Sequence, residues 1–251
     1  MTDFSYQLYS SRMFPPLTDT LHMLADLGYA QVEGYGALYA DASSLGMLEA
    51  GLKDTGLTMP TGHFSFDMCK GEPDRVLEIA RALGVKAVIV PYILPDQRPT
   101  DAAGWAAYAK GLAEVGKRYR DAGLRFGYHN HDFEFRPTAD GALPIDLILA
   151  ADDHIGLEFD VAWAVRAGAD PMATIAKYGP RLMAAHLKDI APQGECVDED
   201  GWADLGYGTI GWATILPALR KAGCTWFVME HDKPSDPHRF ASRAIAAARK
   251  L

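Results

Sequence analysis

Two histidines, an aspartate and a glutamate fall within six residues in the stretch 124–135, LRFGYHNHDFEF: His129, His131, Asp132 and Glu134. The stretch opens as an apolar run and reads as a strand, which sends alternate side chains to opposite faces. His129 and His131 therefore share a face, with Asn130 on the other. Imidazole is both a metal ligand and a base near neutral pH, so such a pair with carboxylates behind it suits a metal site or proton transfer. A bare HxH is as readily two satisfied polar residues at a strand end. What shifts the balance is that three later apolar runs also end in a ligand type: Asp160 in LEFDVAW, His186 in AAHLKD and Glu230 in VMEHD. Earlier runs add Glu33 in QVEGYG and His63 in TGHFSF. Crowded carboxylates repel one another unless protons or a cation neutralise them. A divalent cation resolves the conflict. Mixed carboxylate and imidazole ligation points to Mn²⁺, Zn²⁺ or Co²⁺, then Fe²⁺, with Mg²⁺ less suited to imidazole.

The elements that must position these residues alternate along the chain. Short β-branched or aromatic runs are followed by longer amphipathic stretches, eight times over. In PLTDTLHMLADLG, Leu17, Leu21, Leu24 and Leu27 recur at helical spacing, and a helix from about Asp101 to Gly123 carries Trp105, Tyr108, Leu112, Val115 and Tyr119 three or four apart. Gly28, Gly56, Gly84, Gly123 and Gly223 each stand between an amphipathic stretch and the next apolar run, as glycine does at helix C-termini. Eight such units in 251 residues predict a single-domain (β/α)8 TIM barrel over residues 1–251 rather than an open doubly wound sheet. No GxGxxG opens the first helix, so a dinucleotide site has little support. In a TIM barrel, catalytic residues gather at the carboxyl ends of the strands, where the residues above lie. The acidic, Gly-rich loop 190–209 follows the seventh run and is long enough to cover such a site.

Composition narrows the partners. A net charge of −9 and a pI near 5.3 argue against a nucleic-acid or anionic-lipid surface. Cys69, Cys196 and Cys224 show no CxxC spacing and leave one thiol over in any disulfide scheme, which fits a reducing compartment. No run of about 18 apolar residues occurs, and the N-terminus lacks a basic segment ahead of an apolar one. A cytoplasmic protein without membrane partners is expected. Exposed aromatic surface on barrel helices would suit a homodimer.

The motifs QLYSSR, GYAQVEGYG, GHFSF, GYHNHDFEF, LEFDVAWAVRAGADP, HLKD and VMEHD span nearly the whole chain. Together they resemble the sugar phosphate isomerase/epimerase family of xylose-isomerase-like TIM barrels, whose superfamily includes endonuclease IV, inosose dehydratase and the ketose 3-epimerases. The resemblance implies a metal held by Asp160, His186, Glu230 and one residue of HNHDFEF. Many members have Glu where His129 stands, so the fifth-strand ligand is Glu134 reaching back from the loop, or His129 in place, with Glu134 favoured.

The implied chemistry is enolisation of a keto-sugar, in which a cation polarises the carbonyl while a carboxylate or imidazole removes the α-proton. Glu230 and Glu134 would combine ligation with proton transfer. His131 or His129 would be a separate base, Lys188 would hold a substrate oxygen, and Glu33, His63 and Trp163 would contact the sugar. An isomerase or epimerase is the leading expectation, and a lyase or dehydratase on an inosose or 3-keto-glycoside is the alternative. A DNA-repair endonuclease fits the acidic balance poorly, and a non-enzymatic sugar-binding module is weaker still.

Overall fold

The computed structural model describes residues 3–251, so Met1 and Thr2 of the expected domain lie outside the described residues. Strands β1 (Phe4–Gln7), β2 (Gln31–Gly34), β3 (Thr58–His63), β4 (Ala87–Val90), β5 (Arg125–His129), β6 (Ile155–Asp160) and β7 (Leu182–Leu187) follow in chain order. A short antiparallel pair, β8 (Asp189–Ile190) and β9 (Trp202–Ala203), interrupts the sequence before β10 (Trp226–Met229). β10 pairs with both β7 and β1, closing an eight-stranded parallel barrel. The expected (β/α)8 TIM barrel is therefore the fold.

Ten helices pack around it among the described residues: α1 (Leu17–Asp26), α2 (Ala42–Thr55), α3 (Phe66–Gly71), α4 (Pro73–Leu83), α5 (Ala102–Asp121), α6 (Pro144–Ala150), α7 (Val161–Arg166), α8 (Pro171–Tyr178), α9 (Trp212–Lys221) and α10 (Pro237–Ala248). Their starts are encoded locally. Asp41, Ser65, Asp101 and Asp236 each accept a hydrogen bond from the backbone N–H three residues on, satisfying a donor the helix leaves free. At the other end, Gly56 and Gly84 take φ of 73° and 75°, a left-handed geometry that costs any other residue more. α5 buries Trp105, Leu112 and Tyr119, with Tyr108 and Val115 at the edge of the same stripe. That face covers the barrel, and burying it is what holds the helix.

Inside the barrel the lower layer is apolar. Pairing between β6 and β7 steps from Leu157–Leu182 to Glu158–Ala184, leaving Met183 as an extra residue. Its buried side chain lies against Gly127 and Gly156, where a β-carbon would overlap it. Gly127→Ala is accordingly expected to overpack the barrel and lower stability by about 1–3 kcal/mol, read from urea or thermal unfolding. An unchanged midpoint would show that Met183 moves aside freely.

Candidate active site and metal centre

At the upper end of the barrel, His129, Asp160, His186 and Glu230 each bring one ligand atom within 4.8 Å of the others, and all four are buried. Strand register explains the meeting, since Asp160 pairs with His186 on adjacent strands and His129 with Glu158. His186 Nδ1 lies 2.9 Å from Glu230 Oε2 and 3.8 Å from Asp160 Oδ2. Asp160 serves two ends at once. Its Oδ1 accepts the Trp163 N–H at 2.8 Å and caps α7, while its Oδ2 is buried with no hydrogen-bond partner among the described residues. His186 Nδ1 and Lys188 Nζ stand 3.8 and 3.7 Å from that oxygen, too far to hydrogen-bond it, and a buried carboxylate oxygen without such a partner is costly. Burial pushes Asp160 up to about 6, even with Lys188 and His186 pulling the other way. A divalent cation held by His186, Asp160, Glu230 and His129 would satisfy that oxygen, so the residues present fit such an ion.

Directly beneath lies a second constellation. Glu158 Oε2 is approached by His63 Nε2 at 2.6 Å, His129 Nδ1 at 3.0 Å and His186 Nε2 at 3.3 Å. Glu33 Oε1 accepts from Gln7 Nε2 at 2.8 Å and lies 2.8 Å from His186 Nε2 and 3.2 Å from His63 Nε2. Burial disfavours charge on His63, but the carboxylates of Glu33 and Glu158 overcome it and raise His63 to about 10. His186 is likewise raised against its burial by Glu158, Glu230 and Glu33. His129 goes the other way: burial, then the charge of His186, holds it well below the ordinary imidazole value. Glu33 and His63, expected as substrate contacts, thus lie in a buried layer under the cation set, where their charges are matched within the protein.

Glu134 is not brought to this cluster. The chain turns through a short 3-10 segment, Phe133–Phe135, and the Glu134 carboxylate accepts the Tyr128 hydroxyl at 2.6 Å and the His131 backbone N–H at 2.7 Å. Burial raises it to about 8, toward the neutral form. Of the two fifth-strand candidates, His129 is the one placed with Asp160, His186 and Glu230. His131 stands above, its ring 5.0 Å from that of His129 and 5.4 Å from Trp163, with Nδ1 buried and unpartnered among the described residues. Burial, reinforced by the charge of Lys188, lowers His131 to about 3 and keeps it an uncharged base.

Lys188 is fully buried, with Nζ 2.6 Å from Asp232, 3.1 Å from Glu230 and 3.7 Å from Asp160. Burial alone would strip its proton, but Asp232 and Glu230 hold it protonated beyond the usual lysine range. Trp163 and Trp202 flank it, with Nζ 5.1 and 4.5 Å from their ring centres. Glu158, Asp232 and Trp202 were not singled out from sequence. Alternation would have found Glu158, which lies two residues before Asp160 on β6.

Trp202 reaches the site because the loop 190–209 is tied down. The Asp189 carboxylate accepts N–H bonds from Ile190, Gly206, Gly208 and Ile210, and the β8–β9 pair closes over them. A second tie joins Glu199 and Asp204 to Arg239. Although burial opposes it, hydrogen bonds from Ser235 and the Arg239 guanidinium depress Glu199 to about 2. A carboxylate depressed on folding contributes stability above its unfolded value near 4.5, which is lost as pH falls toward 2. The protection of amides in 190–209, taken relative to their intrinsic exchange rates, is therefore expected to fall across that window. Glu199→Gln should show low protection there already at neutral pH, with no further fall on acidification.

The comparisons with known proteins agree with this fold. The model of the xylose isomerase-like TIM barrel family matches residues 21–251. The chain belongs to that family. Within it, this xylose isomerase-like barrel is 27% identical over 157 residues to inosose dehydratase 1 of Bacillus cereus (strain ZK / E33L), covering 56% of this chain and 52% of that protein. The chain spans about half the length of the curated relatives it matches. A sugar phosphate isomerase/epimerase from Parabacteroides distasonis ATCC 8503 superposes with a TM-score of 0.81 at 20% identity, over 98% of this chain and 94% of that one. The IOLI protein with a bound zinc atom superposes with a TM-score of 0.73 at 18% identity, over 99% and 96%. At these identities the structural likenesses show the fold. No helix among the described residues is long and apolar enough to cross a membrane.

Proposed function

We propose that the protein is a divalent-metal-dependent lyase that enolises a small keto-sugar or inosose and expels a β-oxygen substituent. The observation that carries this reading is the asymmetry of the mouth. One uncharged base, His131, and one cationic group, Lys188, overlook the cation set, while Glu134 is turned away. Inversion at a single carbon calls for proton-transfer groups on both faces, and elimination does not. The 27% identity to an inosose dehydratase supports the same choice.

When bound, the cation polarises the substrate carbonyl and acidifies the α-hydrogen. His131 takes that proton as the α C–H bond breaks. The freed electron pair forms the new C=C bond as the β C–O bond breaks. Lys188, kept charged by Asp232 and Glu230, hydrogen-bonds the departing oxygen and stabilises its negative charge. Trp163 walls the site and Trp202 seals the Lys188 side from water.

Isomerisation between neighbouring carbons is the second reading, since one base and one cation suffice for it. Incubating inososes, 3-keto-glycosides and free and phosphorylated ketoses in deuterated water separates the two. An unsaturated product is expected. Deuterium incorporation without loss of water or aglycone would replace the lyase by an isomerase, and neither outcome across the panel would contradict both.

A further inference from the structure

We infer that Arg98 is the positioning residue of the proposed base, holding the His131 ring in place by gripping Tyr92 and Phe133, two of the rings that enclose it. This rests on the reading of His131 as the proton acceptor and names the group that aims it. A general base is normally aimed by a third group that hydrogen-bonds its far nitrogen. His131 has no such group. Its Nδ1 is buried without a partner among the described residues, and only its backbone is tied, the N–H to Glu134 and the carbonyl to Asn130. The direction of the ring is therefore set by packing. The rings of Tyr92, His129, Trp163 and Phe133 stand 4.9, 5.0, 5.4 and 5.9 Å from it, Tyr92 edge-on at 66° and Phe133 nearly parallel at 14°.

Two of these walls are fixed by the barrel, since His129 ends β5 and Trp163 lies in α7. The other two belong to connections: Tyr92 is 40% exposed after β4, and Phe133 opens the short turn after β5. Connections shift more readily than the elements they join, so these walls need a tie. Arg98 supplies it from the segment between β4 and α5, just past the 3-10 turn Pro95–Gln97. Its Nη2 donates to the Tyr92 hydroxyl at 2.7 Å and its Nε to the Ile93 carbonyl at 3.0 Å, while the guanidinium carbon stands 3.7 Å from the centre of the Phe133 ring. One planar group thus bonds one wall and stacks on the other, which the point charge of a lysine does not reproduce. Both hydrogen bonds end on neutral oxygens, so ion pairing does not account for the place of this cation beside the site.

The test is histidine-ring NMR of the zinc-loaded full chain, with Arg98→Ala and Arg98→Lys beside wild type and His131→Ala to assign the His131 resonance. Ring currents from its neighbours displace that resonance in the wild type. Both Arg98 variants should return it toward the ordinary imidazole position, while the resonance of His63, on β3, stays. Turnover of an inosose deuterated at the α-carbon gives the second readout. In both variants kcat should fall about 10- to 100-fold, the cost of misplacing a reacting group by about an ångström, and the isotope effect should grow. KM and metal content should hold. An unmoved His131 resonance overturns the inference, and so does a moved one with wild-type kcat and isotope effect. If no inosose is turned over, the resonance alone decides. Should the Arg98 variants fail to fold, Tyr92→Phe, which removes only the gripped hydroxyl, decides on the same readouts. The two claims fail separately: full activity in His131→Ala removes the base itself, whereas an impaired His131→Ala beside unchanged Arg98 variants removes only the clamp.

Discussion

His186→Ala is expected to lose the cation and to lower turnover by about 1000-fold or more, because Lewis-acid stabilisation by a metal contributes several kcal/mol to such a step. His186 sits at the junction of everything described above, facing Glu230 and Asp160 through Nδ1 and Glu33 and Glu158 through Nε2. In the metal-stripped protein it is the cation that keeps those carboxylates together, since they raise it well above the ordinary imidazole value. Removing it leaves buried charges uncompensated, a loss of about 3–5 kcal/mol in comparable sites. Metal analysis, turnover and thermal unfolding of the stripped variant should therefore all move. A metal-replete, fully active His186→Ala protein would remove this residue from the site.

His131→Ala is the second large effect, and its signature is different. As the uncharged base above the cation set, His131 should account for about 100- to 10,000-fold in kcat. It holds no place among the ligand atoms that cluster on Asp160 and Glu230, so metal content should stay at the wild-type level. KM should change little by comparison, because the side chain acts on the proton in flight rather than on substrate binding. Loss of metal together with activity would make His131 a ligand instead of a base. Retention of activity would hand the proton to another group, with His129 the nearest imidazole at 5.0 Å between ring centres.

The barrel itself was legible because its grammar is local: apolar runs, amphipathic stretches and glycine between them. Asp160, His186 and Glu230 stood out because each ends or nearly ends an apolar run, where a charged or imidazole side chain is conspicuous. Glu158 was concealed inside LEFD, yet it shares a strand face with Asp160 and so was recoverable from alternation alone. The choice between His129 and Glu134 was not recoverable. It depends on how the chain turns after β5, and the Tyr128 hydroxyl that holds Glu134 is a tertiary circumstance. Glu33 and His63 were visible as chemistry but their depth was not, since strand position does not reveal which layer of a barrel a side chain occupies. The helix α3 and the β8–β9 pair escaped for a related reason. Each is too short to show a period, and β8–β9 is held by the Asp189 carboxylate accepting from the backbone of Gly206 and Gly208 rather than by an alternating pattern.

Anomalous diffraction from crystals grown with Mn²⁺ or Zn²⁺ tests the central claim most directly. A peak is expected within about 2.0–2.3 Å of His186 Nδ1 and of carboxylate oxygens of Asp160 and Glu230, with Glu134 still bonded to Tyr128. A peak that engages Glu134 in place of those groups, or no ion touching Asp160, His186 and Glu230 together, would contradict it.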